Sequence, residues 1–211
     1  MATLDRGTQL ALLASGRRMS LPADATVLFE GDLSDRVVVV VEGTLRIFAT
    51  SEGGREVLVT VAGPGEILGE MSALDGKPHS ASVNTIEPAD VVLVPAREFR
   101  SKMDEHAGLA VAVALRLTRE LRHVLQQRID LEVHDVPARL ALSMVHLAER
   151  LDGRSGRIEL PVTQRELAEA CGASREAVSK ALAAFRARGW VLTDRRSITV
   201  LDLEALRARA S

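Results

Sequence analysis

Arg175, Glu176, Ser179 and Lys180 place, within six residues, the donors and acceptors that read the edges of base pairs. An arginine can set two N–H groups against guanine O6 and N7, a glutamate accepts from cytosine N4, and a lysine donates to guanine or to a phosphate. On a helix Val178, Leu182 and Phe185 form an apolar stripe, and with that stripe buried these four are presented outward. Ser174 stands where the N-cap of that helix belongs. Ahead of it, Thr163-x-x-Glu166 is a capping box that opens an earlier helix. Ala168 is small where two helices would cross, and Gly172 offers the left-handed residue of a tight turn between them. Cap, small residue, glycine and stripe together predict a helix-turn-helix whose second helix enters the major groove of DNA. A two-stranded ribbon follows, Trp190–Thr193 and Ile198–Leu201, and its Asp194-Arg195-Arg196 turn suits phosphates. The expected DNA-contacting residues are Thr163, Ser174, Arg175, Glu176, Ser179, Lys180, Arg195 and Arg196, with double-stranded DNA as the partner. A helix pair that binds nothing would not need all of these features at once.

Other chemistry is thinly supplied. The five histidines (79, 106, 123, 134 and 146) show no H-x₃-H spacing, which argues against a local zinc site. A haem ligand, or the His cluster of a metal-dependent β-roll enzyme, would have to come from His79 and His106, the only histidines before the central helix. No G-x-S-x-G, Walker A or GxGxxG pattern occurs, so the chain is not expected to be an enzyme. The single cysteine, Cys171, excludes an internal disulfide and a four-cysteine cluster within one subunit. It reads as a small packing residue. No apolar run reaches 18 residues, so no transmembrane helix is expected, and the run after Asp5 is too short for a secretory signal. A reducing, cytoplasmic setting is the expectation.

The elements that must position these residues fall into three zones. With 211 residues the chain suits one large domain or two modest ones. Aromatics are only 2% of it, so the cores must be aliphatic. Residues 20–95 alternate short runs of β formers with turn residues, predicting strands at Thr26–Phe29, Val37–Val41, Thr44–Thr50, Glu56–Val61, Ala81–Ile86 and Val91–Val94. Short, regularly spaced strands mean a sandwich, barrel or roll. Residues 107–133 then read as one helix of about 27 residues, about 40 Å long. Ala114, Leu117, Leu121, Val124, Arg128 and Leu131 follow a 3-4-3-4-3 spacing, a coiled-coil seam with one charged interruption. Val111, Leu115, Leu125 and Ile129 define a second apolar face. Two apolar faces need two partners: the β domain for one, and the same helix of a second subunit, in a homodimer, for the other. Asp135-Val-Pro137 caps a further helix that runs to about Leu151. Charge divides along the same line, 14 Lys and Arg against 19 Asp and Glu up to His134, and 13 against 10 from Asp135 onward. The mildly basic part is the one that would meet a polyanion.

Taken together, the chain resembles the cyclic-AMP receptor / fumarate–nitrate regulator family of bacterial transcription factors. The resemblance rests on Gly-Glu-Ile-Leu-Gly69-Glu70 and Pro78-His79-Ser80-Ala81 in the β zone. It rests also on the long helix ending in Asp135-Val-Pro, and on Ser174-Arg175-Glu176-Ala-Val178 in a winged helix-turn-helix. It implies an α+β fold of three parts: a β-roll effector domain (1–106; a double-stranded β-helix, cyclic-nucleotide-binding-like), a central dimerisation helix (107–134) and a winged helix-turn-helix DNA-binding domain (135–211). It further implies a homodimer on a near-palindromic site, control by a small-molecule effector, and contact with RNA polymerase, for which the polar loop 152–157 is placed by position.

Members that bind cyclic AMP use Gly-Glu for the ribose, Arg-Ser/Thr for the phosphate, and polar side chains of the central helix for adenine. The corresponding pocket here is Gly69, Glu70, His79, Ser80, Val124 and Leu125. His79 replaces the arginine, and Val124 and Leu125 replace the polar pair, so the phosphate lacks a fixed cation and the base lacks partners. The expectation is that cyclic AMP binds weakly or not at all. DNA binding would then be constitutive or set by a more apolar ligand. The alternatives are a cyclic-AMP-dependent regulator of the same family and an effector-independent architectural DNA-binding protein.

Overall fold

In the computed structural model, which describes residues 6–33, 35–51, 53–54, 56–151 and 157–210, the strands and helices follow in chain order. They are α1 (Arg6–Ala14), β1 (Arg17–Leu21), β2 (Thr26–Leu28), β3 (Arg36–Glu42), β4 (Leu45–Thr50), β5 (Glu56–Ala62), β6 (Ile67–Leu68), α2 (Glu70–Asp75), β7 (Ser82–Thr85), β8 (Ala89–Pro95), α3 (Ala96–Glu105) and α4 (Ala107–Val133). After α4 come α5 (Val136–Arg150), β9 (Ile158–Leu160), α6 (Gln164–Ala170), α7 (Arg175–Ala187), β10 (Val191–Thr193), β11 (Ile198–Val200) and α8 (Leu203–Ala210). The chain divides into two compact units. One is Met1–Arg55 with Ala62–His123, and the other is Glu56–Val61 with Val124–Ser211.

In the first unit, β1, β8, β3 and β6 form an antiparallel sheet in that order, with Val38 opposite Leu93 and Val39 opposite Val92. The run Val37–Val40 is uninterrupted because β3 is covered on both faces. Val37 and Val39 enter one core with Phe99, Leu109 and Val113, while Val38 and Val40 enter a second with Leu28, Leu45 and Ile47. Successive side chains of a strand point to opposite sides, so one valine run serves two cores. β2, β7 and β4 run side by side in a second sheet, with Ile47 opposite Val83.

All six strands read between residues 20 and 95 are present, with ends moved by one or two residues. Missed were β1, β6 and the three helices α1 to α3.

The long helix has the expected bounds, Ala107–Val133. Its faces do not do what their spacing predicted. The side that packs on the β core is Leu109 and Val113, with Leu117 half-buried beside them. Leu117, unlike the rest of the expected seam, is thus partly covered by the β core. Val111, Leu115, Leu125 and Ile129 are exposed, as are Ala114, Leu121, Val124, Arg128 and Leu131.

In the second unit, Asp135 caps α5 by accepting from Ala138 N (2.9 Å), and Pro137 occupies the first turn, where a missing N–H costs nothing. Leu140 and Met144 of α5, Leu167 of α6, Leu182 and Phe185 of α7, and Ile198 of β11 are each buried to within 2%. β10, β11 and β9 make a three-stranded antiparallel sheet. The ribbon read from the sequence thus has a third strand, β9. The loop 152–157 expected to face RNA polymerase lies outside the described residues except for Arg157.

Candidate DNA interface and effector pocket

The helix-turn-helix is built by local rules. Thr163 Oγ1 accepts from Glu166 N (3.2 Å) while Glu166 Oε2 accepts from Thr163 N (2.7 Å), closing the capping box of α6. Cys171 ends α6 and Gly172 adopts φ +59°, the left-handed conformation that turns the chain. Ser174 Oγ then accepts from Ala177 N (3.2 Å) to start α7. Val178, Ala181, Leu182 and Phe185 bury one side of α7. Arg175 in its first turn and Glu176, Ser179 and Lys180 are all exposed, and the β10–β11 turn presents Arg195 and Arg196, also exposed. The hairpin is tied to the helix by Arg186 Nη1 donating to Thr193 Oγ1 (3.0 Å). Phe185 and Trp190 stack with ring centroids 5.3 Å apart. Two expected DNA contacts have prior duties. The hydroxyl of Thr163 also donates to Glu166 Oε2 (2.8 Å), and that of Ser174 is occupied at the cap.

Cys171 is a buried free thiol, and burial pushes its pKa up, away from the reactive thiolate. The side chain serves packing.

The residues expected to line the effector pocket separate into two groups. Gly69, Glu70, His79 and Ser80 lie in the first unit, whereas Val124 and Leu125 belong to the second and are more than half exposed. Gly69 sits at φ +80° as the residue before α2, and a Cβ there would fall 3.1 Å from both His79 Cε1 and Leu28 Cδ1. The imidazole thus lies against the glycine backbone. Its own backbone is pinned to the 31–32 turn, with His79 N donating to Asp32 O and Gly31 N donating to His79 O (both 2.9 Å). Pro78 has no N–H and that of His79 is spoken for, so this segment offers an anion fewer donors than its sequence promised.

Burial lowers the pKa of His79 below the ordinary imidazole value, against the opposing pull of Asp32, Asp35 and Glu70. The ring is neutral at pH 7 and holds no anion by charge.

The residue that sequence reading missed is Arg116. Glu70 is buried, and its Oε1 lies 2.9 Å from Arg116 Nη1, which also donates to Ile67 O. The carboxylate at the ribose position is therefore already matched by a cation from α4. The spacing Leu109, Val113, Arg116, Leu117 on one helical face was the available signal.

With this geometry in hand, the comparisons are direct. Residues 18–106 match the family described as cyclic nucleotide-binding domain, and residues 138–209 match the Crp-like helix-turn-helix domain. The CRP-like cAMP-activated global transcriptional regulator of Mycobacterium tuberculosis is 34% identical over 203 residues, covering 95% of this chain and 91% of that protein. The chain belongs to the CRP-like family of transcriptional regulators. It is also 31% identical over 182 residues to the cyclic AMP receptor protein of Thermus thermophilus, covering 86% of this chain and 82% of that one. Among solved structures, a CRP-family transcriptional regulator from Thermus thermophilus superposes with a TM-score of 0.69 at 26% identity, covering 91% of this chain and 96% of its own. The expected fold stands: an effector-type β domain, a long helix and a C-terminal helix-turn-helix. So does the function class, a DNA-binding transcriptional regulator. Among the described residues, no helix is long and apolar enough to cross a membrane.

Proposed function

We propose that this CRP-family regulator acts in the cytoplasm as a homodimer on a near-palindromic duplex site, contacts RNA polymerase there, and does not take cyclic AMP as its effector. The dimer reading is carried by the exposed apolar stripe of α4. Leu121, Val124 and Leu131 are 60%, 54% and 51% exposed on a single chain, more apolar surface than one helix leaves to water without a partner. A second copy of α4 covers it and sets two α7 helices one turn of DNA apart. Arg175, Glu176, Ser179 and Lys180 read bases, while Arg195 and Arg196 hold phosphates.

The effector reading is carried by the Glu70–Arg116 pair together with the buried, neutral His79. A cyclic phosphodiester meets His79 in place of an arginine, Arg36 near that histidine is already paired with Asp35, and a ribose hydroxyl must compete with a guanidinium for Glu70. Either no effector is needed or the effector is less polar than a nucleotide. Selection of duplexes from a randomised pool, with and without cyclic AMP, tests both parts. The expected product is a palindrome enriched equally in the two pools. Enrichment only with cyclic AMP would return the chain to the mechanism named for its relatives, and enrichment of no palindrome would refute the dimer.

A further inference from the structure

We propose that Arg139 is the positioning residue that fixes the recognition helix on the end of the long helix, and so sets the half-site spacing that the dimer accepts. This rests on the dimer reading above. Arg139 stands in the first turn of α5, where the helix dipole disfavours a cation. Its side chain is turned instead to the C-terminal ends of two other helices. Nη1 donates to His134 O (2.9 Å), the carbonyl that follows α4. Nε donates to Cys171 O (2.9 Å) and Nη2 to Gly172 O (3.3 Å), the carbonyls that end α6 and form its turn into α7. One guanidinium therefore caps α4 and α6 together, at the end of each where carbonyls lack partners and the dipole is negative.

A second contact closes the same joint. A Cβ on Gly172 would fall 2.8 Å from Leu131 Cδ2, so the last turn of α4 lies directly against the turn of the helix-turn-helix. Only Ala173 and Ser174 separate that turn from Arg175, the first residue of α7. The origin of the recognition helix is thus held to the end of α4 by three charge-assisted hydrogen bonds and one apolar contact. Arginine suits this because its planar fork reaches several acceptors in fixed directions, which a lysine ammonium does not.

The test uses the full-length chain and the palindrome selected above, with central spacers shortened or lengthened by one and two base pairs. Wild type should prefer one spacer by tenfold or more. Arg139→Gln should flatten that preference to within about threefold, and Arg139→Lys should fall between the two. Base preference within each half-site should stay unchanged. Gly172→Ala should flatten the profile as well, because the new methyl meets Leu131 Cδ2 and an alanine must hold φ +59°. This variant keeps the proposal testable if Arg139→Gln does not fold. An unchanged spacer profile in Arg139→Gln, even with lower thermal stability, would reduce Arg139 to a structural residue and overturn the proposal. A wild type with no spacer preference would refute the dimer reading and this inference with it.

Discussion

Removing Arg116 tests the pocket most directly, because Glu70 is buried and Arg116 is the cation that matches it. The Glu70 side chain is 7% exposed and that of Arg116 is 23% exposed. Deleting one member of a buried ion pair costs about 3–5 kcal/mol, since the other charge is left without compensation. The partial exposure of Arg116 admits some screening by water, which brings the expected cost to about 2–3 kcal/mol. Arg116→Met keeps much of the aliphatic stem, so the loss is of charge and of the bond to Ile67 O rather than of packing. At about 2–4 °C per kcal/mol for a chain of this size, the unfolding midpoint of the first unit should drop by about 4–12 °C. Glu70→Gln in the same background should recover much of that loss, because a neutral amide is far cheaper to bury unpaired. The assay is a double-mutant cycle in urea at pH 7, with an expected coupling above about 1 kcal/mol. Additive effects, with coupling below about 0.5 kcal/mol, would show that the two charges do not depend on each other and would remove the main argument against a ribose at this site.

Three further outcomes follow from the same geometry. Leu121→Glu should give monomers by light scattering and abolish binding to the palindrome, because the charge would be buried against its counterpart; a dimer that persists would place the interface elsewhere. Arg175→Ala should cost about 1–3 kcal/mol and relax preference at one base pair per half-site, whereas Arg195→Ala should weaken all duplexes alike, and identical profiles for the two would refute the assignment of α7. For His79, the folded pKa lies below the unfolded value of about 6.5, so the unfolded chain binds the extra proton. Stability should therefore be full above about pH 6.5 and fall on acidification below it. His79→Asn should lose that pH dependence, and parallel pH curves for the two proteins would refute it.

What could be read from the sequence was what is decided within a few residues. The capping box of Thr163 and Glu166, the turn at Gly172 and the cap at Ser174 each close over two to four positions. The bounds of α4 were equally plain. Its faces were not, because helical spacing fixes the apolar stripes relative to one another and says nothing of which stripe meets which partner. Leu117 belongs to two stripes at once, and packing against Phe99 and Val113 decided between them. β1 was missed because an edge strand with the pattern Arg-Arg-Met-Ser-Leu buries little. β6 was missed because two residues carry no period. For His79 the identity was visible, but its burial, which lowers its pKa, was not, because the ring lies against Gly69, ten residues earlier in the chain.

The same distance effect hid the work of the arginines, and it changes what the basic charge of the C-terminal region means. In a chain without tyrosine, arginine supplies several of the long-range bonds to backbone carbonyls, alongside Thr85. Arg100 donates to Ala73 O (2.7 Å), Arg150 to Val61 O (2.8 Å), and Arg139 to its three acceptors. Arg207 and Arg209 pair with Glu149 and Asp135 (2.9 and 2.6 Å). Cations held in this way are not available to displace counterions from DNA. The groups on the recognition helix and wing turn that remain for that purpose are Arg175, Lys180, Arg195 and Arg196, four in each copy of the proposed dimer. With both subunits engaged, and about 0.9 counterions released per phosphate neutralised, log K should fall against log salt with a slope of about −7. Counting every Arg and Lys after Asp135 would predict a far steeper dependence. A measured slope well beyond about −7 would mean that arginines assigned here to the fold turn outward to the phosphates when DNA binds, and Arg139→Gln would then weaken binding through charge rather than through position.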